Sequence, residues 1–259
     1  MALTVEAEAD AHGQHYIFRP HQRVATRNIG VVWAPGGNQT AYADVLNGWA
    51  GQLSRQPELL VRLAQRFTVF VGDLALFNAG NAAGHAAMTQ AHADLVAVGC
   101  DDRVAIVGLS HGHLLGTAWA AANPAKVGAL AGLIPAANLQ ALRVYHDSIG
   151  DIFGVRAAID TAWGVTYPAP LPGAGDPPQN ATHAETADKA AVLASQGIAW
   201  RAWAGTIDGF VPIQSVRDFA AAYGDPSALT EVEGGNHDDS TLEHVDVDEL
   251  SQFIYAAVS

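Results

Sequence analysis

One cysteine, Cys100, stands in the 259-residue chain, so no disulfide can close within it and no thiolate-based zinc site can form. Cys100 lies in Gly-Cys-Asp-Asp with no histidine beside it to draw off its proton; it reads as a small residue ahead of a buried strand, not as a nucleophile. Lysine is nearly absent, at Lys126 and Lys189 only, and Asp plus Glu outnumber Lys plus Arg by 26 to 13, for a net charge of −13. A field of that sign repels phosphate backbones and anionic lipid headgroups, which argues against nucleic acid as a partner and favours a neutral small molecule or lipid-like substrate. No run reaches about 18 apolar residues, so no stable membrane insertion is expected. The opening MALTVEAEADAHGQHY lacks the basic start and apolar core of a Sec signal. The expectation is a soluble, cytoplasmic protein, or one released by lysis or as part of a larger particle. His12, His15 and His21 show no metal-ligand spacing, and neither metal nor cofactor is expected.

What is abundant is apolar sequence, 49% of the chain, enough for one sizeable core. Six short runs read as strands: 29–34 (IGVVWA), 67–72 (FTVFVG), 103–108 (RVAIVG), 129–134 (ALAGLI), 198–204 (IAWRAWA) and 228–232 (ALTEV). Several are apolar almost throughout, the pattern of strands buried on both faces of a parallel sheet. Segments of helical composition at 41–66, 84–98, 113–122, 213–223 and 246–257 separate them. Alternation of this kind predicts a single α/β domain over 1–259, a mostly parallel sheet with helices on both faces. Antiparallel edge strands are expected around 16–18 and 23–26. The segment 135–196 breaks the rhythm, with a helical stretch followed by YPAPLPGAGDPPQNAT. An insertion that long reads either as a small cap or lid over a site or as a surface excursion.

The motif richest in chemistry is Gly108-Leu109-Ser110-His111-Gly112, set between the run RVAIVG and the helical HLLGTAWAAA. A serine at a tight strand-to-helix turn projects its hydroxyl out of the sheet, small neighbours let the backbone approach, and the helix aims its amides at developing negative charge. Here the chain resembles the α/β-hydrolase fold superfamily, serine esterases and lipases among them. The resemblance extends from about residue 29 to the end, with 135–196 variable.

The resemblance implies the chain order serine, acid, histidine. Gly205-Thr206-Ile207-Asp208-Gly209-Phe210-Val211-Pro212 is similar to the family's acid turn and nominates Asp208; Glu233-Gly234-Gly235-Asn236-His237 nominates His237 as the general base. A serine hydroxyl is a poor nucleophile at neutral pH, so an imidazole must take its proton and a carboxylate must hold the imidazole. For the oxyanion hole the resemblance implies the backbone N–H of His111 and a second donor from Ala34-Pro35-Gly36-Gly37-Asn38, either Gly37 or Asn38; Pro35 departs from the histidine common there. Phe77, Asn78 and Phe210 are candidates for the substrate pocket. Together these imply a carboxylic-ester hydrolase working through an acyl-enzyme. The same residues would serve a peptidase or a C–C hydrolase, and the fold also occurs in non-catalytic binding or structural components.

Overall fold

The computed structural model describes residues 3–10, 13–20, 28–37, 53–72, 74, 78–173 and 175–258. In chain order its strands are β1 (Leu3–Asp10), β2 (Gly13–Pro20), β3 (Gly30–Ala34), β4 (Thr68–Gly72), β5 (Val104–Leu109), β6 (Val127–Leu133), β7 (Ala199–Gly205) and β8 (Leu229–Val232). The described α-helices are α1 (Arg55–Ala64), α2 (Ala82–Ala97), α3 (His111–Ala122), α4 (Leu139–Ser148), α5 (Val155–Trp163), α6 (Lys189–Ser195), α7 (Ile213–Tyr223), α8 (Asp239–Leu242) and α9 (Val247–Val258). The strands form one eight-stranded sheet in the order β1-β2-β4-β3-β5-β6-β7-β8.

From β4 across to β8 every neighbouring pair is parallel, while β2 is antiparallel to both β1 and β4. All six runs read as strands therefore form strands. The edge hairpin differs from expectation. It joins 3–10 to 13–20, so the strand expected around 16–18 is part of β2, and 23–26 lies outside the described residues. So does the 41–52 part of the first helical segment.

The core follows from the two-residue period of a strand. Every residue of β3, β4, β5 and β6 is buried. Val32, Ile106 and Leu130 point to one face, where Met88 and Leu95 of α2, Leu114 of α3, Leu193 of α6 and Phe219 of α7 cover them. Val31, Val107 and Leu133 point to the other, under Leu59 and Leu63 of α1 and Leu250 and Ile254 of α9. Each such buried aliphatic or aromatic side chain contributes about 1.5–3 kcal/mol of transfer free energy. Cys100 is buried just ahead of β5.

The strand order places the site. After β3 the chain moves to β4 on one side; after β5 it moves to β6 on the other. Connections that diverge from adjacent parallel strands open a crevice at their carboxyl ends. The residues at that crevice are Gly36 and Gly37, after β3, and Ser110, after β5.

Candidate active site

Ser110 occupies the turn between β5 and α3 with φ +49° and ψ −116°. A non-glycine residue held at positive φ stores about 1–3 kcal/mol of backbone strain, and such residues concentrate at functional sites. The two glycines of the motif have a steric cause. A Cβ on Gly112 would fall 2.0 Å from the Ala34 carbonyl oxygen, and one on Gly108 would fall 2.6 Å from the backbone of His113. Strand β3 and helix α3 thus touch backbone to backbone, which keeps the loop after β3 against the start of α3.

His237 Nε2 lies 2.8 Å from Ser110 Oγ, and His237 Nδ1 lies 2.7 Å from Asp208 Oδ2. A carboxylate only accepts, so the proton sits on Nδ1 and Nε2 offers its lone pair to the serine hydroxyl. The Asp208 and His237 side chains are 4% and 7% exposed. The other oxygen of Asp208, Oδ1, accepts the N–H groups of Phe210 and Val211, both at 2.8 Å. The acid and base loops meet closely: a Cβ on Gly205 would fall 2.2 Å from the Gly235 carbonyl oxygen. Asn236 joins them, its Oδ1 accepting from Gly209 N–H at 3.0 Å and His237 N–H at 2.8 Å. Ser110, Asp208 and His237, distant in sequence, form one hydrogen-bonded relay. An imidazole so placed can accept the serine proton as Oγ attacks a carbonyl carbon.

A cleft of about 190 Å³ opens over Ser110. Gly36, Gly37 and Leu53 form one wall, Leu109, Ser110 and His111 the floor, and Phe210, Val211 and His237 another wall. The segment 135–196 supplies Ala136, Leu142, His146, Phe153 and Val155. Most of this surface is apolar. Phe210 lies with its ring 5.2 Å from that of His237 and stacks on Phe153 at 4.2 Å. His111 begins α3, where a helix presents its N-terminal amides, and Gly37 faces the cleft. Asn38 and Phe77 lie outside the described residues.

One expectation is corrected here. Asn78 does not line this cleft; its Nδ2 donates to the Leu74 carbonyl at 2.6 Å and its Oδ1 accepts from Gly80 N–H, so the amide holds its own loop together. His111 borders the cleft, and its side chain accepts at Nε2 from the Ala79 N–H at 2.8 Å. Burial pushes the His111 imidazole down to about 4, so it stays neutral and fixes the 78–81 loop against α3. His113 is similar: fully buried, it faces the Ala136 carbonyl through Nδ1 and accepts from Trp200 Nε1–H at 2.9 Å through Nε2. Asp238 caps α8, and Asp239 accepts the Ser54 and Arg55 N–H groups at the start of α1.

Among the cleft residues that the sequence did not nominate are Leu142, His146, Phe153 and Val155 of the segment 135–196. A signal was present in α4, where Leu139, Leu142, Arg143 and His146 follow helical spacing and are all buried. His146, beside the equally buried Arg143, was a visible polar residue on that face. Among the described residues no group of three or more His, Cys, Asp or Glu could hold a metal ion, and no helix is long and apolar enough to cross a membrane.

No family model and no curated protein matches this chain. Solved structures do. The chain has the α/β-hydrolase fold. It is similar to the Staphylococcus aureus fluorophosphonate-binding serine hydrolase F, with 12% identity, a TM-score of 0.63 and 98% of each chain covered. It is similar to an S-formylglutathione hydrolase from Agrobacterium tumefaciens at 13% identity and a TM-score of 0.57, covering 98% of this chain and 95% of that one. It is also similar to a Mycobacterium tuberculosis puromycin-hydrolyzing peptidase, at 18% identity and a TM-score of 0.67; there 99% of this chain spans 40% of the longer peptidase.

Proposed function

We propose that this chain is a serine hydrolase that cleaves carboxylic esters through an acyl-enzyme on Ser110. The observation that carries the reading is the relay from Ser110 Oγ to His237 to Asp208, at 2.8 and 2.7 Å, on a serine held at φ +49°. Ser110 Oγ attacks the ester carbonyl while His237 Nε2 takes its proton, and the carbonyl oxygen becomes an oxyanion. The N–H groups of His111 and of the Gly36–Gly37 turn are the donors that would face it. His237 returns the proton to the departing alkoxide, leaving an acyl group on Ser110. A water then attacks the acyl carbon as His237 takes its proton; the bond to Ser110 Oγ breaks, His237 returns the proton to Oγ, and the acid leaves. Asp208 holds the imidazole's tautomer and stabilises the imidazolium at each step.

The apolar cleft and the net charge of −13 favour a neutral ester, small or lipid-like, over an anionic one. The segment 135–196 serves as a cap that completes the cleft, with the whole chain forming one domain. An amide substrate is the second reading, supported by the likeness to peptidases. Hydrolysis of p-nitrophenyl esters from acetate to palmitate, beside matched anilides, separates the two. Ester turnover that falls on the order of a millionfold in Ser110→Ala supports the proposal. Turnover confined to anilides favours the peptidase reading, and binding of esters without turnover by folded protein favours a non-catalytic one.

A further inference from the structure

The turn that carries Asp208 is gripped on both sides of its backbone. On the inner side, Gly209 N–H donates to Asn236, while Phe210 N–H and Val211 N–H donate to Asp208 itself. On the outer side, two consecutive residues of α4 hold the carbonyls. Tyr145 Oη–H donates to the Gly209 oxygen at 2.9 Å, and His146 Nε2–H donates to the Phe210 oxygen at 3.0 Å. Consecutive side chains on a helix diverge by about 100°, so the two donors reach neighbouring carbonyls from different sides.

His146 is an improbable residue for mere packing. It is 0% exposed, on a buried stripe shared with Leu139, Leu142 and Arg143. Because Nε2 faces a carbonyl it must carry the proton, so Nδ1 is a bare acceptor, and Nδ1 is buried with no hydrogen-bond partner. An unpaired buried acceptor is destabilising, and an apolar side chain of similar size would avoid it. Burial also pushes the imidazole below its ordinary value, so the ring is a neutral donor. The one hydrogen bond it makes is the bond to the acid turn.

We infer that Tyr145 and His146 are positioning residues, which clamp the Asp208 turn so that its carboxylate meets His237. The segment 135–196 then helps to assemble the relay as well as to cover the cleft. The inference rests on the Ser110 reading above. Its test uses the full chain with Tyr145→Phe, His146→Leu and His146→Gln, the last keeping an amide donor near the position of Nε2. Four quantities are measured: kcat and KM on p-nitrophenyl butyrate, the thermal midpoint, and the proton resonance of His237 Nδ1–H.

For His146→Leu the expected result is a kcat about tenfold lower at little-changed KM, a thermal midpoint equal to or above the parent's, and a shifted or broadened Nδ1 proton signal. His146→Gln restores kcat and the signal to near the parent's, and Tyr145→Phe shows a loss of about threefold in kcat alone. An unchanged kcat in His146→Leu overturns the inference. So does a rise in KM with the signal intact, which would make His146 only a wall of the cleft. Activity that merely tracks a falling thermal midpoint in both His146 variants overturns it as well. If the parent hydrolyses nothing, the Ser110 reading has failed, and the Nδ1 signal alone decides: its loss in His146→Leu supports the clamp and its retention refutes it.

Discussion

Asp208→Asn separates the chemistry of the acid from its structural duty. Asp208 Oδ1 accepts two backbone N–H groups at 2.8 Å, and an asparagine carbonyl oxygen can accept the same pair. The amide nitrogen then replaces Oδ2, 2.7 Å from His237 Nδ1. Two donors cannot face each other, so the imidazole must move its proton to Nε2. That nitrogen lies 2.8 Å from Ser110 Oγ and would then present a proton where a lone pair is needed. The tautomer is wrong for a base, and the imidazolium has lost its counter-charge. Loss of this function in a serine triad costs about 10⁴-fold in kcat, equivalent to about 5.5 kcal/mol of barrier. The turn keeps its backbone hydrogen bonds, so the thermal midpoint should move by only a few degrees. Steady-state ester hydrolysis with a parallel melting curve reads both. A fall of less than tenfold in kcat, in a folded variant, would refute the role given to Asp208.

Other perturbations probe the surroundings. Gly112→Ala sets a Cβ 2.0 Å from the Ala34 carbonyl oxygen, so α3 and β3 must part by more than 1 Å; a misplacement of that size costs on the order of 100-fold in kcat, and a variant with parental kcat and stability would contradict the close contact. Phe210→Ala removes the ring stacked on Phe153 and packed near His237, and kcat/KM for apolar esters should fall about tenfold, measured against acetate as a small control. His113 is held at about 4 by burial, below the imidazole's ordinary 6.5, so the unfolded chain binds the proton more readily between those values. Stability is therefore whole above pH 6.5 and is lost as the pH falls toward 4, by on the order of 3 kcal/mol for this one group. Urea unfolding across that range should show a shallower pH dependence in His113→Asn, and an identical slope would count against a buried neutral His113.

The parts of the fold legible in the sequence were those whose residues face one environment. Strands β3 to β6 are buried throughout, so IGVVWA and RVAIVG announce themselves as continuous runs. The edge hairpin was misjudged because LTVEAEAD alternates small apolar residues with carboxylates, and alanine gives the two-residue period little contrast. Ser110, Asp208 and His237 were legible because each sits in a glycine-marked turn whose spacing the close backbone contacts of Gly112 and Gly205 demand. The cleft was less so. Asn78 is polar and adjacent, yet its amide satisfies Leu74 and Gly80, a local bond that residue type alone does not reveal. His146 and Phe153 come from a segment with no strand and no motif, and only three-dimensional packing sets them beside Phe210.

The most direct measurement is reaction with a fluorophosphonate, followed by intact mass and peptide mapping. One adduct per chain on Ser110, absent in Ser110→Ala and formed orders of magnitude more slowly in His237→Ala, is the expected result, since only a serine activated by the relay at 2.8 Å and 2.7 Å has that reactivity. No adduct on folded protein, or one that maps to another residue, would contradict Ser110 as the nucleophile and leave the fold without the chemistry proposed for it.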